Sequence, residues 1–313
     1  MASVVGALAT SHAFAFLEPD RWDARRERMR DSYERRYGTR PDERPELHEE
    51  DIRANVDRFN RWRASVEAAR NCPTEARPDV LLLVGDDQNE VFSGVQPQFA
   101  VYTGDRCLSP SERNPDEPYE VRCDAALAAE LLGRSVTAGF DTAKVGRFED
   151  DVLKSHAHAQ PLEHLGLAGH ACVPVFVNAI HVPAPEPARC VDFGRALVAN
   201  LADLSPQLRV GVVASGGMSH FTAGYPWRSY RGPHTPGSVD VDFDRKVVAA
   251  LEAGDESFFR ALTAADLLEH GDPEMRALLV LLGMVDFAAP SMHSYEDLLP
   301  GGDGHARRGL ATG

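Results

Sequence analysis

Four stretches of the chain carry the residue types that hold metals and move protons. Ser11-His12 follows one apolar run, Gly85-Asp86-Asp87-Gln88-Asn89-Glu90 a second, and Ser215-Gly216-Gly217-Met218-Ser219-His220 a third; Glu274 opens a late apolar segment. Imidazole and carboxylate donors that leave positions open for substrate and gas suit a non-haem Fe(II) centre. Imidazole near neutral pH also suits proton transfer. Each stretch alone has a plainer reading. A histidine at a strand end is commonly a hydrogen-bonded structural residue. A glutamate at a helix start is favoured by the helix dipole, and Asp-Asp-Gln after a strand makes a turn.

The elements that must position these residues are legible in outline. Val4 to Thr10, Val80 to Val84, Val173 to Ile180 and Val210 to Ala214 are short aliphatic runs, the pattern of buried strands. Residues 20–37 are dense in Arg and Glu. In 47–70, Val56, Phe59, Trp62 and Val66 recur at helical spacing, so both segments read as helices with solvated faces. Helices are also expected at Ala125 to Ala138, Phe193 to Leu204, Asp242 to Leu251 and Glu256 to Leu268. A last one spans Glu274 to Val285, with Pro273 at its start. Residues 103–120, rich in Pro, Ser, Asp and Glu, read as a surface loop. Strands alternating with helices predict one α/β domain with a central mixed sheet flanked by helices and the active site at the strand ends. That domain is expected over residues 1–290, with an irregular tail over 291–313.

Composition narrows the classes. The chain has 313 residues with 33 Lys+Arg against 48 Asp+Glu, a formal charge of −15. Nucleic acid is disfavoured, because phosphate binding needs a basic footprint. No window approaches the ~18 apolar residues of a membrane span, and Met1 to Phe16 lacks the basic segment of a signal peptide. Five cysteines without CxxC spacing fit reduced thiols and a cytoplasmic location better than a disulfide framework or a zinc cluster.

Taken in order, the site-bearing strings resemble a family. Ala9-Thr10-Ser11-His12-Ala13, Val84-Gly85-Asp86-Asp87-Gln88-Asn89-Glu90 and Ala214-Ser215-Gly216-Gly217-Met218-Ser219-His220-Phe221 are similar to the class III extradiol ring-cleaving dioxygenases. This is the superfamily of the protocatechuate 4,5-dioxygenase β subunit, and the nearest likeness is to gallate and methylgallate dioxygenases. Pro174-Val175-Phe176-Val177-Asn178, Arg189-Cys190 and Phe243-Asp244-Arg245 add to it. The likeness runs from about residue 5 to 287, and Ser-Gly-Gly-Met-Ser-His is its most specific string.

The resemblance implies one Fe(II) held by two histidines and a glutamate, the first histidine at His12 and the glutamate at Glu274. It makes His220 the acid/base group and His156 a pocket histidine, with His158 or His170 as the alternatives for that place. His158 and Tyr225 are candidate substrate-binding residues, Tyr225 in an aromatic wall with Trp227 and Tyr230 or simply in loop packing. The implied reaction is cleavage of a catechol- or gallate-like aromatic acid by O2 beside its hydroxyls, giving a muconic semialdehyde or related acid. The implied assembly is a homodimer or a complex with a small subunit.

The chain departs from the pattern at one position. The family string is Gly-Asp-Asp-Gln-His-Glu, its histidine being the second iron ligand, and here Asn89 stands in that place, or Gln88 if the alignment shifts by one. A carboxamide binds Fe(II) through oxygen more weakly than an imidazole does. Three readings follow: an intact fold with weak or no activity; a metal kept by His12, Glu274 and another group such as Asp87; or a repurposed or non-catalytic member that binds a phenolic ligand or a partner subunit.

Overall fold

The computed structural model describes residues 3–12, 18–42, 51–75, 77–111, 114, 116–204, 207–295 and 310–312. The chain begins with β1 (Ser3–Thr10), α1 (Trp22–Tyr37), α2 (Ile52–Ala69), the one-turn α3 (Cys72–Glu75) and β2 (Val80–Gly85). It continues through β3 (Phe99–Tyr102), β4 (Arg106–Ser109), β5 (Tyr119–Arg122), α4 (Ala125–Thr137), β6 (Thr142–Val145) and α5 (His156–His164). Then come β7 (Cys172–Val177), α6 (Pro187–Leu204), β8 (Arg209–Ser215), α7 (Val241–Ala253), α8 (Glu256–Ala261), α9 (Ala264–Glu269), α10 (Met275–Met284) and β9 (Leu310–Thr312).

Seven strands form one mixed sheet in the order β6-β3-β7-β2-β8-β1-β9. β7, β2, β8 and β1 are mutually parallel; β3 meets β7, and β9 meets β1, antiparallel. β2, β7 and β8 read as continuous aliphatic runs because both faces of the sheet are covered. On one face, Leu82, Val84, Val175, Val212 and Ala214 pack against residues of α4, α6, α7 and α10. On the other, Leu81, Leu83, Phe176 and Val213 meet Ala69 of α2, Leu162 of α5 and the β4–β5 hairpin. Every residue of α10 is buried and all but Arg276 lack a charge, and each buried Leu contributes on the order of 2 kcal/mol. It lies so close to α6 that a Cβ at Gly283 would collide with the Val191 carbonyl. That backbone-level contact sets where α10 begins, and with it Glu274.

The α/β class, the mixed sheet and the flanking helices are as the sequence predicts. Local differences have local causes. The strand expected over Val173 to Ile180, β7, stops at Val177 because the Asn178 side chain closes a turn, accepting from His181 N at 3.0 Å and donating to the His181 carbonyl at 2.7 Å. The second helix begins at Ile52, its end capped by Asp51, which accepts from the Arg53 and Ala54 amides; residues 43–50 lie outside the described residues. Glu256 to Leu268 is two helices, because Thr263 and Asp266 form a reciprocal cap that starts a new one. The expected loop over 103–120 contains the β4–β5 hairpin, whose Cys107 and Val121 are buried beneath polar neighbours. In the tail expected to be irregular, Leu310–Thr312 pairs with Ala7 to Ala9. β3, β6 and α5 have no counterpart in the sequence reading.

All five cysteines are free thiols. Three form a chain, with Cys107 Sγ 4.0 Å from Cys123 Sγ and Cys123 Sγ 3.9 Å from Cys172 Sγ. Among the described residues no helix is long and apolar enough to cross a membrane.

Candidate metal centre

Three adjacent parallel strands, β2, β8 and β1, end at the same rim of the sheet. Their carboxyl ends deliver Asp86, Ser215 and His12, the place where open α/β sheets receive ligands. Glu274 arrives from the other direction, one residue before α10. The approach is close: Gly216 donates its N–H to the Thr10 carbonyl, and a Cβ at Gly216 would lie 2.7 Å from the Glu274 carbonyl oxygen. Only glycine fits there.

His12, Asp86 and Glu274 are each buried, and one donor atom of each lies within 4.8 Å of the others. Glu274 is the hub. Its Oε2 accepts from Gly217 N at 2.7 Å and lies 3.5 Å from His12 Nε2. Its Oε1 accepts from Gln88 Nε2 at 2.8 Å and lies 3.1 Å from His220 Nε2. Burial pushes this carboxyl up, but the facing His220 and His12 and the hydrogen bonds hold it well below the ordinary carboxylate range. His12 Nδ1 lies 2.9 Å from Ser215 Oγ, which turns Nε2 toward the cluster. Burial takes the His12 pKa down to about 3, so the ring is neutral and free to ligate.

Asp86 is the unusual member. Both its carboxylate oxygens are buried without a hydrogen-bond partner among the described residues. Burial, then the charge of Glu274, pushes its carboxyl well above the usual range. A buried carboxylate normally finds donors, and two acidic groups sharing a dry site lack one component, a cation. The donor chemistry fits: one imidazole oriented through its other nitrogen, and two carboxylates, is a set for a divalent first-row metal.

Two more histidines surround the cluster. His220 Nδ1 donates to the Met218 carbonyl, and the loop that carries it is pinned by Ser219 N to Asp244 Oδ1 at 3.0 Å and Asp240 N to Ser219 Oγ at 2.8 Å. His156 opens α5, where Glu90 accepts from its backbone N at 3.0 Å and from its Nδ1 at 2.7 Å. Its ring stands edge-on to His12, centroids 4.6 Å apart. Burial disfavours the charged ring, but the Glu90 hydrogen bond and charge override it and raise the pKa to about 9.

Of the residues singled out from sequence, His12, Glu274, His220 and His156 come together. Asn89 does not. It is exposed, has φ of +68°, and its Oδ1 faces Gln96 Nε2 at 3.5 Å, so the loop carries it away from the cluster. Asp87 is turned away too: its carboxylate accepts from the amides of Asn89, Glu90, Val91 and Phe92. His158 is buried, with Nδ1 2.8 Å from Ser155 Oγ and Nε2 donating to the Val175 carbonyl at 3.0 Å. Both nitrogens are engaged, and burial takes its pKa down to about 4. His170 precedes β7 and so sits toward the opposite rim. The Tyr225 ring packs with Phe221, Trp227 and Tyr230, and its hydroxyl donates to the Leu268 carbonyl. Tyr225 and Asn89 both line a cavity of about 680 Å³ beside the cluster.

Asp86, Glu90 and Ser215 are what sequence reasoning left without a role, and Gln88 entered it only as an alternative for the place of Asn89, although all four lie in strings it had singled out for other members. The missing information is strand adjacency. Once β2 is known to lie next to β8, and β8 next to β1, the residue just past Gly85 falls beside His12.

The family described as "Catalytic LigB subunit of aromatic ring-opening dioxygenase" matches residues 45–300, with His12 preceding the matched span. The chain is 32% identical over 163 residues to the 2,3-dihydroxyphenylpropionate/2,3-dihydroxicinnamic acid 1,2-dioxygenase of Mycolicibacterium paratuberculosis, 50% of this chain and 48% of that protein. It is 36% identical over 146 residues to 2,3-dihydroxyphenylpropionate/2,3-dihydroxicinnamic acid 1,2-dioxygenase 1 of Pseudomonas putida, 45% of this chain and 43% of that one. The matched stretches thus span about half the length of these curated relatives. In fold, the chain is similar to an uncharacterized protein from Escherichia coli K12, with a TM-score of 0.50, 15% identity, and coverage of 98% of this chain and 99% of that one. Because the family pattern covers most of its length, the chain belongs to the family of catalytic LigB subunits of aromatic ring-opening dioxygenases.

Proposed function

We propose that this protein is an Fe(II)-dependent extradiol dioxygenase that opens the ring of a catechol-type aromatic acid with O2, its metal held by His12, Asp86 and Glu274. One observation carries the reading: the two partnerless, buried oxygens of Asp86 share a site with His12 and Glu274 in a chain of this family. When bound, Fe(II) supplies the redox link between a chelated catechol and O2 and lowers the pKa of the catechol hydroxyls.

The chain's own residues do the rest. Ser215 and Gln88 orient His12 and Glu274. His220, fixed by the Met218 carbonyl, presents Nε2 at the cluster edge and accepts a phenolic proton as substrate binds. His156, held protonated by Glu90, offers positive charge toward the negative charge that develops on the substrate oxygens. The carboxyl ends of β1, β2 and β8 and the starts of α5 and α10 hold these groups on rigid elements.

A second reading has its own support. The cluster offers one imidazole, where the resemblance implies two, and Asn89 lies outside it. Two carboxylates and one imidazole form a harder, more weakly iron-selective set, which favours a metal-poor member that binds a phenolic ligand without oxidising it. Reconstitution with Fe(II) without air, metal analysis, and then O2 uptake with carboxylated catechols separates the two. Stoichiometric iron, O2 consumption and a coloured ring-fission product support the dioxygenase; bound catechol without O2 uptake supports the binder.

A further inference from the structure

The cavity beside the metal centre is charged in an unexpected way. The chain carries a net charge of −15, yet Arg36 and Arg228 both line this space, with His181 and the amides of Asn89, Gln96 and Gln98 around them. Among the described residues neither guanidinium forms an ion pair. Arg36 NH1 donates to the Ala223 carbonyl at 3.2 Å, which fixes one end of its fork and leaves the other for a ligand. His181 Nε2 is buried without a hydrogen-bond partner among the described residues. Gln96 Nε2 donates to the Phe92 carbonyl and Gln98 Nε2 to the Pro183 carbonyl, so the donors left for a ligand are two guanidinium groups, a partnerless imidazole nitrogen and the Asn89 carboxamide, the complement of a carboxylate.

The cavity is coupled to the metal centre through Gln88. The Gly224 Cα stands between the two: a Cβ built on it would lie 3.3 Å from Gln88 Oε1 and 3.4 Å from Arg36 NH1. Gln88 Nε2 in turn lies 2.8 Å from Glu274 Oε1. One carboxamide therefore separates the arginine end from the ligand set, a span that a ring with a short side chain crosses. The two arginines come from unrelated parts of the chain, α1 and the loop after β8, and Tyr37 Oη donating to the Tyr225 carbonyl at 3.0 Å ties those parts together. The size, about 680 Å³, suits a small organic acid.

We propose that Arg36 and Arg228 are specificity-determining residues that bind the carboxylate of the substrate's side chain while the ring lies at the metal centre. The assignment rests on the dioxygenase reading for the position of the ring, but not for the carboxylate. It selects substrates whose acid group stands off the ring by one or more methylenes over those with the acid directly on the ring.

Calorimetric binding to the full-length protein tests this with probes that cannot chelate metal: benzoate, phenylacetate, 3-phenylpropanoate, 4-phenylbutanoate, their primary amides, and acetate. The expected result is that at least one longer acid binds tenfold or more tightly than its amide and than benzoate. Arg36→Ala and Arg228→Ala, both at exposed positions, should each weaken that acid by about tenfold and its amide by less than about twofold, with Arg228→Lys recovering part of the loss. Equal affinity for acid and amide, or unchanged affinity in both alanine variants, overturns the proposal. Acetate binding as tightly as the best ring acid overturns it as well, since the site then takes a free anion. O2 uptake with catechols is scored separately. Acid selectivity without ring cleavage leaves the carboxylate site standing and removes the dioxygenase reading; ring cleavage without acid selectivity does the reverse.

Discussion

Gln88 Nε2 donates to Glu274 Oε1 at 2.8 Å, joining the loop after β2 to the residue that opens α10 across 186 positions of sequence. The bond leaves Glu274 Oε2 to face His12. Groups that orient a metal ligand typically change metal affinity ten- to a hundredfold when removed. Gln88→Leu should therefore weaken Fe(II) or Mn(II) binding by about that factor while leaving the thermal unfolding of the metal-free protein within a few degrees, as measured by competition with a chromophoric chelator.

Asp86 makes the opposite prediction for the metal-free fold. Its folded-state pKa is raised by burial and by Glu274, so ionisation opposes folding at every pH above the unfolded value of about 3.9. Asp86→Asn should raise the melting temperature of metal-free protein at pH 7 and abolish the further rise that divalent metal gives the wild type. A variant that melts lower without metal, yet still gains from metal, contradicts the ligand assignment.

The His156–Glu90 pair gives a pH signature. The folded pKa of about 9 exceeds the ordinary 6.5, so its contribution is complete below pH 6.5 and disappears as pH rises through 9. Metal-free wild type should lose on the order of 2–3 kcal/mol between pH 6.5 and 9 from this pair. His156→Gln should flatten that limb in urea unfolding. A wild-type limb as flat as that of the variant would place the proton elsewhere.

Asn89 bears on how the sequence is read. From spacing alone, Asn89→His would restore a missing ligand. The structure puts that side chain on the exposed face of the loop, so the substitution should leave metal affinity unchanged within about twofold, because His tolerates a left-handed backbone. A gain of tenfold or more, read by the same chelator competition, would show the loop turning inward when metal binds.

The sequence shows why such an error arises. His12, His220 and Glu274 stand beside glycines, turns or the start of an apolar helix, features that sequence displays directly. The α/β class was legible for the same reason, since aliphatic runs such as Val80 to Val84 have few other uses. Asp86 and Asn89 differ by three positions in one string, and which of them faces the site depends on where the strand ends and on Asp87 folding the loop back with four amide bonds. That is a matter of backbone hydrogen bonding, which residue types alone do not reveal. β3, β6 and α5 went unseen because each is short, and in α5 the helix carries three histidines and a proline in place of a regular apolar face.

The thiol chain of Cys107, Cys123 and Cys172 has a consequence under oxidising conditions. Cys123 touches both neighbours, so a disulfide to either one excludes the other, and complete oxidation of the trio into crosslinks is impossible. Cys107 and Cys123 are also poor starting points. The hydrogen bond to Cys123 and burial push Cys107 up, and Cys172 and burial push Cys123 up against the pull of Cys107. The reactive form, the thiolate, is therefore scarce at neutral pH. An oxidant reaching Cys107 and Cys123 would find sulfur that is protonated, packed under the sheet and slow to react, so oxidative ageing of this protein should not begin at these two thiols.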